Sequence, residues 1–109
     1  MMAINRGAVV EYPALFSFES YPRPYLIISN PDHPFVGEEY VGLAITTTDL
    51  DAVLPIEEDA WVRGSLPKQS FVKPWQPTLL KDDHVIDAFG LLRESVVDHA
   101  VRDLRKVIT

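Results

Sequence analysis

Prolines and other turn-forming residues divide most of this chain into short apolar segments, which limits it to a fold rich in β-strands. The segments are enriched in branched and aromatic residues, or they alternate between apolar and polar positions as strands do. Six strands are predicted from this pattern, at residues 8–12, 25–29, 39–47, 53–56, 70–72 and 84–89. Pro55 predicts that the fourth lies at a sheet edge, and Pro74 and Gly90 are expected to end the fifth and sixth.

The third predicted strand is the longest, and its two faces differ. One face carries the larger apolar side chains of Val41, Leu43 and Ile45. Because side chains alternate along a strand, the other face carries Tyr40, Gly42, Ala44 and Thr46. The small residues of this second face leave room for another group to approach.

Beyond Gly90 the apolar residues change to helical spacing. Ser95 and Asp98 predict a helix start like that of a capping box, and Arg105 and Lys106 lie where the helix dipole favours cations. The expected apolar stripe consists of Val96, Val97, Ala100, Val101, Leu104, Val107 and Ile108. Packed on the sheet, it completes a mostly β (α+β) fold. We expect a small SH3-like barrel or twisted antiparallel sheet with one C-terminal helix, in a single domain over residues 1–109.

Composition excludes several kinds of site. The 109 residues include no cysteine, which rules out disulfides, a thiolate nucleophile and cysteine-bound metals. The histidines, His33, His84 and His99, match no metal-binding spacing. No apolar run is long enough for a membrane span or a signal peptide. We therefore expect a cytoplasmic protein without a metal or other cofactor.

Charge is distributed unevenly along the chain. The net charge is −6, yet residues 60–81 contain no Asp or Glu and carry Arg63, Lys68, Lys73 and Lys81. Aromatic residues are interleaved with these cations, namely Trp61, Phe71 and Trp75. Such a mixture suits single-stranded RNA, whose bases stack on aromatic rings while cations follow its backbone. The aromatic residues, Phe71 in particular, suit a hydrophobic core equally well.

Two further positions suit a phosphate group. Arg23 lies between Pro22 and Pro24, which restrict the backbone and so orient a guanidinium that matches phosphate oxygens. Its alternative role is a surface ion pair with Glu19. Thr46 and Thr47 lie at the end of the longest predicted strand, where a hydroxyl either donates to phosphate or caps the following turn.

Taken together, several segments resemble the MazF/PemK-like toxins of bacterial and archaeal toxin–antitoxin systems. The resemblance spans most of the chain and rests mainly on an Arg-Pro-apolar-strand-Asn motif at residues 23–30 and an apolar-Ile-Thr strand end at 44–46. Weaker parts of the match are the Arg-Gly opening of the first strand, the segment 70–72 with Gln76, and residues 89–91 followed by a helix.

The resemblance implies an SH3-like barrel that forms a homodimer, cuts single-stranded RNA without a metal and is blocked by a cognate antitoxin. The catalytic Arg and Thr of the family would be Arg23 and Thr46. The 2′-hydroxyl of the RNA would attack the adjacent phosphorus, leaving a 2′,3′-cyclic phosphate, with Glu19 a candidate base. The residues expected to contact substrate are Glu19, Ser20, Thr47, Lys68, Lys73, Trp75 and Gln76.

One departure from the family pattern keeps a second hypothesis open. Gln76 is followed by Pro77, Thr78 and Leu79, where the family often has an apolar residue and then Arg-Thr. Because one fold supports unrelated functions, the alternative is a catalytically silent module that docks a protein partner.

Overall fold

The computed structural model describes residues 4–15 and 21–109. These residues form seven strands, two short 3₁₀ helices and one α-helix. The strands are β1 (Ala8–Tyr12), β2 (Arg23–Ile27), β3 (Glu39–Thr46), β4 (Leu54–Ile56), β5 (Trp61–Gly64), β6 (Ser70–Lys81) and β7 (Asp87–Leu92). The 3₁₀ helices are Glu58–Ala60 and Asp82–His84, and the α-helix, α1, is Glu94–Ile108.

All seven strands form one antiparallel sheet in the order β4-β6-β3-β2-β1-β7-β5. The edge strands β4 and β5 are neighbours in sequence and are joined by residues 57–60 alone. So short a connection reaches at most ~17 Å. The sheet must therefore curl until its two edges approach, which gives a half-barrel and confirms the predicted fold class.

The curled sheet has a hydrophobic cluster on each face. The interior cluster joins Leu43 and Ile45 of β3 to Val97, Ala100 and Leu104 of α1. The outer cluster contains Tyr40 and Ala44 of β3 with neighbouring residues of β1, β2 and β6. Both faces of β3 are thus buried, in the alternation predicted from sequence. The helix covers the inside of the half-barrel.

Helix α1 begins two residues earlier than predicted, and its start is stabilised differently. Arg93, in extended conformation, is the residue that precedes the first turn, and no side chain caps it, so the expected role of Ser95 is wrong. Arg6 instead contacts the first turns through ion pairs with Glu94 (3.1 Å) and Asp98 (2.6 Å). At the other end, Val107 and Ile108 are 61% and 65% exposed, so the buried stripe is shorter than predicted.

Strand β6 is much longer than the predicted strand at 70–72, and Pro74 does not end it. Pro74 lies in a bulge between Val72, which pairs with Ile45, and Pro77, which pairs with Leu43. The other neighbour, β4, pairs only with residues 70–72. Pro74 thus lies where β6 has no ladder partner, so its missing N–H group leaves no ladder bond unmade.

Strand β5 was not predicted, and β7 differs from the predicted strand at 84–89. Residues 82–84 form a 3₁₀ helix, and β7 continues through Gly90 to Leu92. Gly90 pairs with Gly64 of β5. Glycine therefore marks a close approach of two strands here, where a strand end was expected. Among the described residues, no helix is long and apolar enough to cross a membrane.

Candidate phosphate-binding site

Arg23 begins β2 and Thr46 ends the adjacent strand β3. Along this antiparallel pair Tyr25 faces Ala44, and Ile27 faces Gly42. The paired residues end at Tyr25 and Ala44, and Arg23 and Thr46 lie two residues beyond them at adjacent ends of the two strands. On their other sides Arg23 pairs with Tyr12 of β1 and Thr46 with Phe71 of β6. The two residues predicted to be catalytic thus lie at the same end of neighbouring strands.

The Arg23 guanidinium is half-buried and held against an aromatic ring. Its central carbon lies 4.7 Å from the centre of the Tyr21 ring, within the range of a cation–π interaction. Its Nε is buried, and no residue described by the structure accepts a hydrogen bond from it. A buried donor without an acceptor is costly, so this group favours an incoming anion. The alternative partner, Glu19, lies outside the described residues, as does Ser20.

The Thr46 hydroxyl serves the turn that follows β3. Its Oγ1 accepts a hydrogen bond from the backbone amide of Thr48 at 3.1 Å. A threonine hydroxyl also has one proton to donate. The turn-capping role weighed from the sequence is therefore confirmed, and it leaves the proton of the hydroxyl available to a phosphate oxygen.

A surface cavity of about 220 Å³ lies beside Arg23. Its polar lining includes Arg23, Thr47, Lys68, Ser70 and Glu11. One cavity is thus lined by three residues that the sequence analysis proposed on separate grounds, namely Arg23, Thr47 and Lys68. Thr46 is not among its lining residues, whereas its neighbour Thr47 is.

The remaining described candidates form a second group in the bulge of β6. Four residues of that strand, 73–76, are accommodated beside the single residue Ala44 of β3. Trp75 is 39% exposed there, and Lys73 and Gln76 are partly exposed. These three side chains adjoin β3 two residues before Thr46, but they do not line the cavity of Arg23. The predicted substrate contacts therefore divide between two neighbouring places.

Sequence reasoning missed two polar residues of this cavity. Glu11 is half-buried and lines the cavity. The sequence feature that could have identified it is its charge, because the rest of strand β1 is apolar or aromatic. Ser70 is 5% exposed, and its hydroxyl donates to the Lys68 carbonyl oxygen at 2.9 Å, which holds the turn that carries Lys68. Across residues 4–15 and 21–109, no group of three or more His, Asp or Glu side chains is arranged to hold a metal ion.

Comparison with known proteins supports this description of the fold. No protein-family model and no curated protein sequence matches the chain. A mycobacterial endoribonuclease solved in complex with its cognate antitoxin is 19% identical, with a TM-score of 0.74 over 99% of this chain and 95% of that chain. A second mycobacterial endoribonuclease is 21% identical, with a TM-score of 0.66 over 99% and 93%. At such low identity, these similarities show that the chain has the same fold as these two proteins.

Proposed function

We propose that this protein is the toxin of a toxin–antitoxin pair, an endoribonuclease of the MazF/PemK type that cuts single-stranded RNA without a metal. The observation that carries the proposal is the buried Arg23 Nε without an acceptor among the described residues, at the edge of a cavity that Thr47 and Lys68 also line. Two endoribonucleases with the same fold support it.

The proposed reaction uses a nucleophile that RNA itself supplies. The 2′-oxygen attacks the adjacent phosphorus as its proton passes to a base, and the bond from phosphorus to the 5′-oxygen breaks. The 5′-oxygen takes up a proton from water, so the products are a 2′,3′-cyclic phosphate and a 5′-hydroxyl end. Negative charge grows on the non-bridging oxygens, where Arg23 and Thr46 donate hydrogen bonds. Each such donor is expected to contribute ~10²–10³ in rate, as oxyanion-hole donors do.

The base in this scheme is a carboxylate, since a guanidinium does not give up its proton in proteins. Glu19 is the candidate from sequence. Glu11 is a second candidate, because its carboxylate lines the same cavity as Arg23 and forms no ion pair within the described part of the chain.

A cognate antitoxin and a second copy of the chain are the proposed partners. The antitoxin bound to one of the two structural neighbours supports the first of these. On this proposal a segment of the antitoxin crosses the site and excludes RNA, and the toxin acts as a homodimer in the cytoplasm. Light scattering of the purified protein, alone and with its antitoxin, measures both assemblies.

The decisive experiment compares wild type with Arg23→Ala and Arg23→Lys on a long single-stranded RNA in EDTA, followed by mapping of the ends. Wild type should leave cyclic phosphates, Arg23→Ala should leave intact RNA, and Arg23→Lys should lose most of the rate because it lacks a planar fork. Circular dichroism checks that the variants are folded. Folded wild-type protein that cuts no RNA at any salt concentration would refute the endoribonuclease proposal. The remaining hypothesis would then be a catalytically silent module that docks a protein partner.

A further inference from the structure

A second cavity, of about 460 Å³, adjoins the cavity of Arg23. The two share the lining residues Leu66, Pro67, Lys68 and Ser70. These residues therefore form a ridge between the cavities. The hydrogen bond from the Ser70 hydroxyl to the Lys68 carbonyl oxygen holds the ridge in place. A ligand with two linked parts can occupy both cavities at once, with Lys68 between them.

One wall of the second cavity is aromatic. Trp61, the first residue of β5, is half-buried and packs against the interior cluster of the half-barrel. Part of its surface also lines the second cavity. Because its packing fixes the indole, little side-chain freedom would be lost when a flat ring stacks on it. Stacking on an immobilised aromatic ring is a common way for proteins to bind unpaired RNA bases.

Two of the polar side chains that line this cavity, Glu58 and Gln69, present hydrogen-bond acceptors, beside the cation of Lys68 and the hydroxyls of Ser65 and Ser70. Glu58 is exposed and lines it, and its carboxylate makes no ion pair or hydrogen bond with any residue that the structure describes. The Gln69 side-chain nitrogen donates to the Ile56 and Ser70 carbonyl oxygens at 3.1 and 3.2 Å. Its donor group is thus used within the protein, which leaves the amide oxygen as an acceptor.

We propose that the second cavity holds the nucleobase next to the phosphate bound by Arg23, and that it selects guanine. The inference rests on the proposed RNA substrate. A carboxylate offers two acceptor oxygens side by side. Guanine presents two adjacent donors, N1–H and the 2-amino group, on its Watson–Crick edge. Adenine and cytosine present one donor beside a ring acceptor, and uracil presents one N–H between two carbonyls.

Binding of uncleavable RNA tests this assignment. The probes are short oligoribonucleotides with 2′-O-methyl groups, either all uridine or with one guanosine, adenosine or cytidine, and the readout is fluorescence anisotropy. Wild type should bind the guanosine oligomer about tenfold more tightly than the others, the discrimination typical of one bidentate base contact. Glu58→Gln should reduce this preference to less than about twofold.

Glu57→Gln is the matched control, since it removes the same charge from the adjacent exposed residue, which does not line the cavity. It should retain the guanine preference. Oligomers that bind without any preference, or a preference that survives in Glu58→Gln, would refute the guanine pocket and leave the endoribonuclease proposal standing. If folded wild type binds none of the oligomers, the pocket and the endoribonuclease proposal both fail.

Discussion

Gly64 of β5 lies directly opposite Gly90 of β7, and the two backbones pass so closely that neither position has room for a side chain. A Cβ added at Gly64 would overlap the Phe89 carbonyl oxygen, and Gly64 also has a φ of +80°, which favours glycine. We expect Gly64→Ala to lower the free energy of unfolding by about 3 kcal/mol or more, because backbone strain and overlap act together. Urea denaturation measures the loss.

Gly37→Ala separates these two effects. Gly37 has a similar φ of +86°, but a Cβ there would meet nothing within 4 Å. This variant should lose only the conformational part, about 1 kcal/mol. Equal losses at the two positions would show that the close approach of β5 and β7 contributes nothing.

Arg6 is expected to hold helix α1 against the sheet. Besides its two ion pairs with the helix, its Nη1 donates to the Ile28 carbonyl oxygen at 2.7 Å. Arg6→Ala should destabilise the protein by about 1–2 kcal/mol, a modest value because both carboxylates are largely exposed. Thermal denaturation checks this against Arg102→Ala, which removes an exposed helix side chain that makes no hydrogen bond or ion pair in the described part of the chain and should change stability by less than about 0.5 kcal/mol.

Thr46 is expected to act through its hydroxyl proton. Thr46→Val keeps the shape of the side chain and should reduce RNA cleavage ~10²–10³-fold. It also removes the acceptor for the Thr48 amide, at a cost of about 1 kcal/mol. Thr46→Ser keeps both functions and should retain most of the activity. Single-turnover cleavage rates with saturating protein measure the chemical step, and equal rates for the two variants would contradict the role.

Glu11 tests the identity of the base. If its carboxylate takes the proton of the 2′-hydroxyl, Glu11→Gln should slow cleavage ~10²–10⁴-fold while RNA binding stays within about twofold. Glu19→Gln is the competing variant, and Glu38→Gln, an exposed carboxylate outside the cavity, controls for the change in charge. Full activity in Glu11→Gln would remove Glu11 from the mechanism.

Tyr40 makes stability depend on alkaline pH. Burial raises the pKa of its hydroxyl above the ordinary 10.0, and the hydrogen bond to Asp82 and the charge of Asp82 raise it further. Above pH 10 the unfolded chain releases this proton while the folded chain keeps it, so stability falls as pH rises. Tyr40→Phe should be less stable at pH 8 and should lose less between pH 9 and 11. Urea denaturation across this range measures both slopes, and parallel slopes would contradict the assignment.

The strands that were predicted well are those in which the pattern of apolar residues within the segment itself indicates a strand. Strand β1 has the predicted bounds, and the two-faced pattern of β3 is confirmed because both of its faces are buried by neighbouring elements. Strand β2 begins two residues earlier than predicted, since Arg23 and Pro24 pair with β1. Pro55 correctly indicated an edge strand.

The errors occur where a distant strand decides the conformation. Whether Pro74 ends a strand depends on which strands pair with β6 beside it. The sequence around residue 74 does not indicate which strands these are. Strand β5 contains an arginine and a glycine and forms by pairing with β7. For the same reason, the sequence could nominate Arg23, Thr47 and Lys68 one at a time, but only the curled sheet places them around one cavity.

The short connection at residues 57–60 makes the two edges of the sheet depend on each other. The second cavity is lined by Ile56 of β4, Glu58 of the connection and Trp61 of β5. A molecule seated there contacts both edge strands and must leave before they can separate. Occupancy of that cavity would therefore slow hydrogen exchange in β4 and β5 together. The amides of these two short strands would then report whether the two edges of the half-barrel stay close to each other.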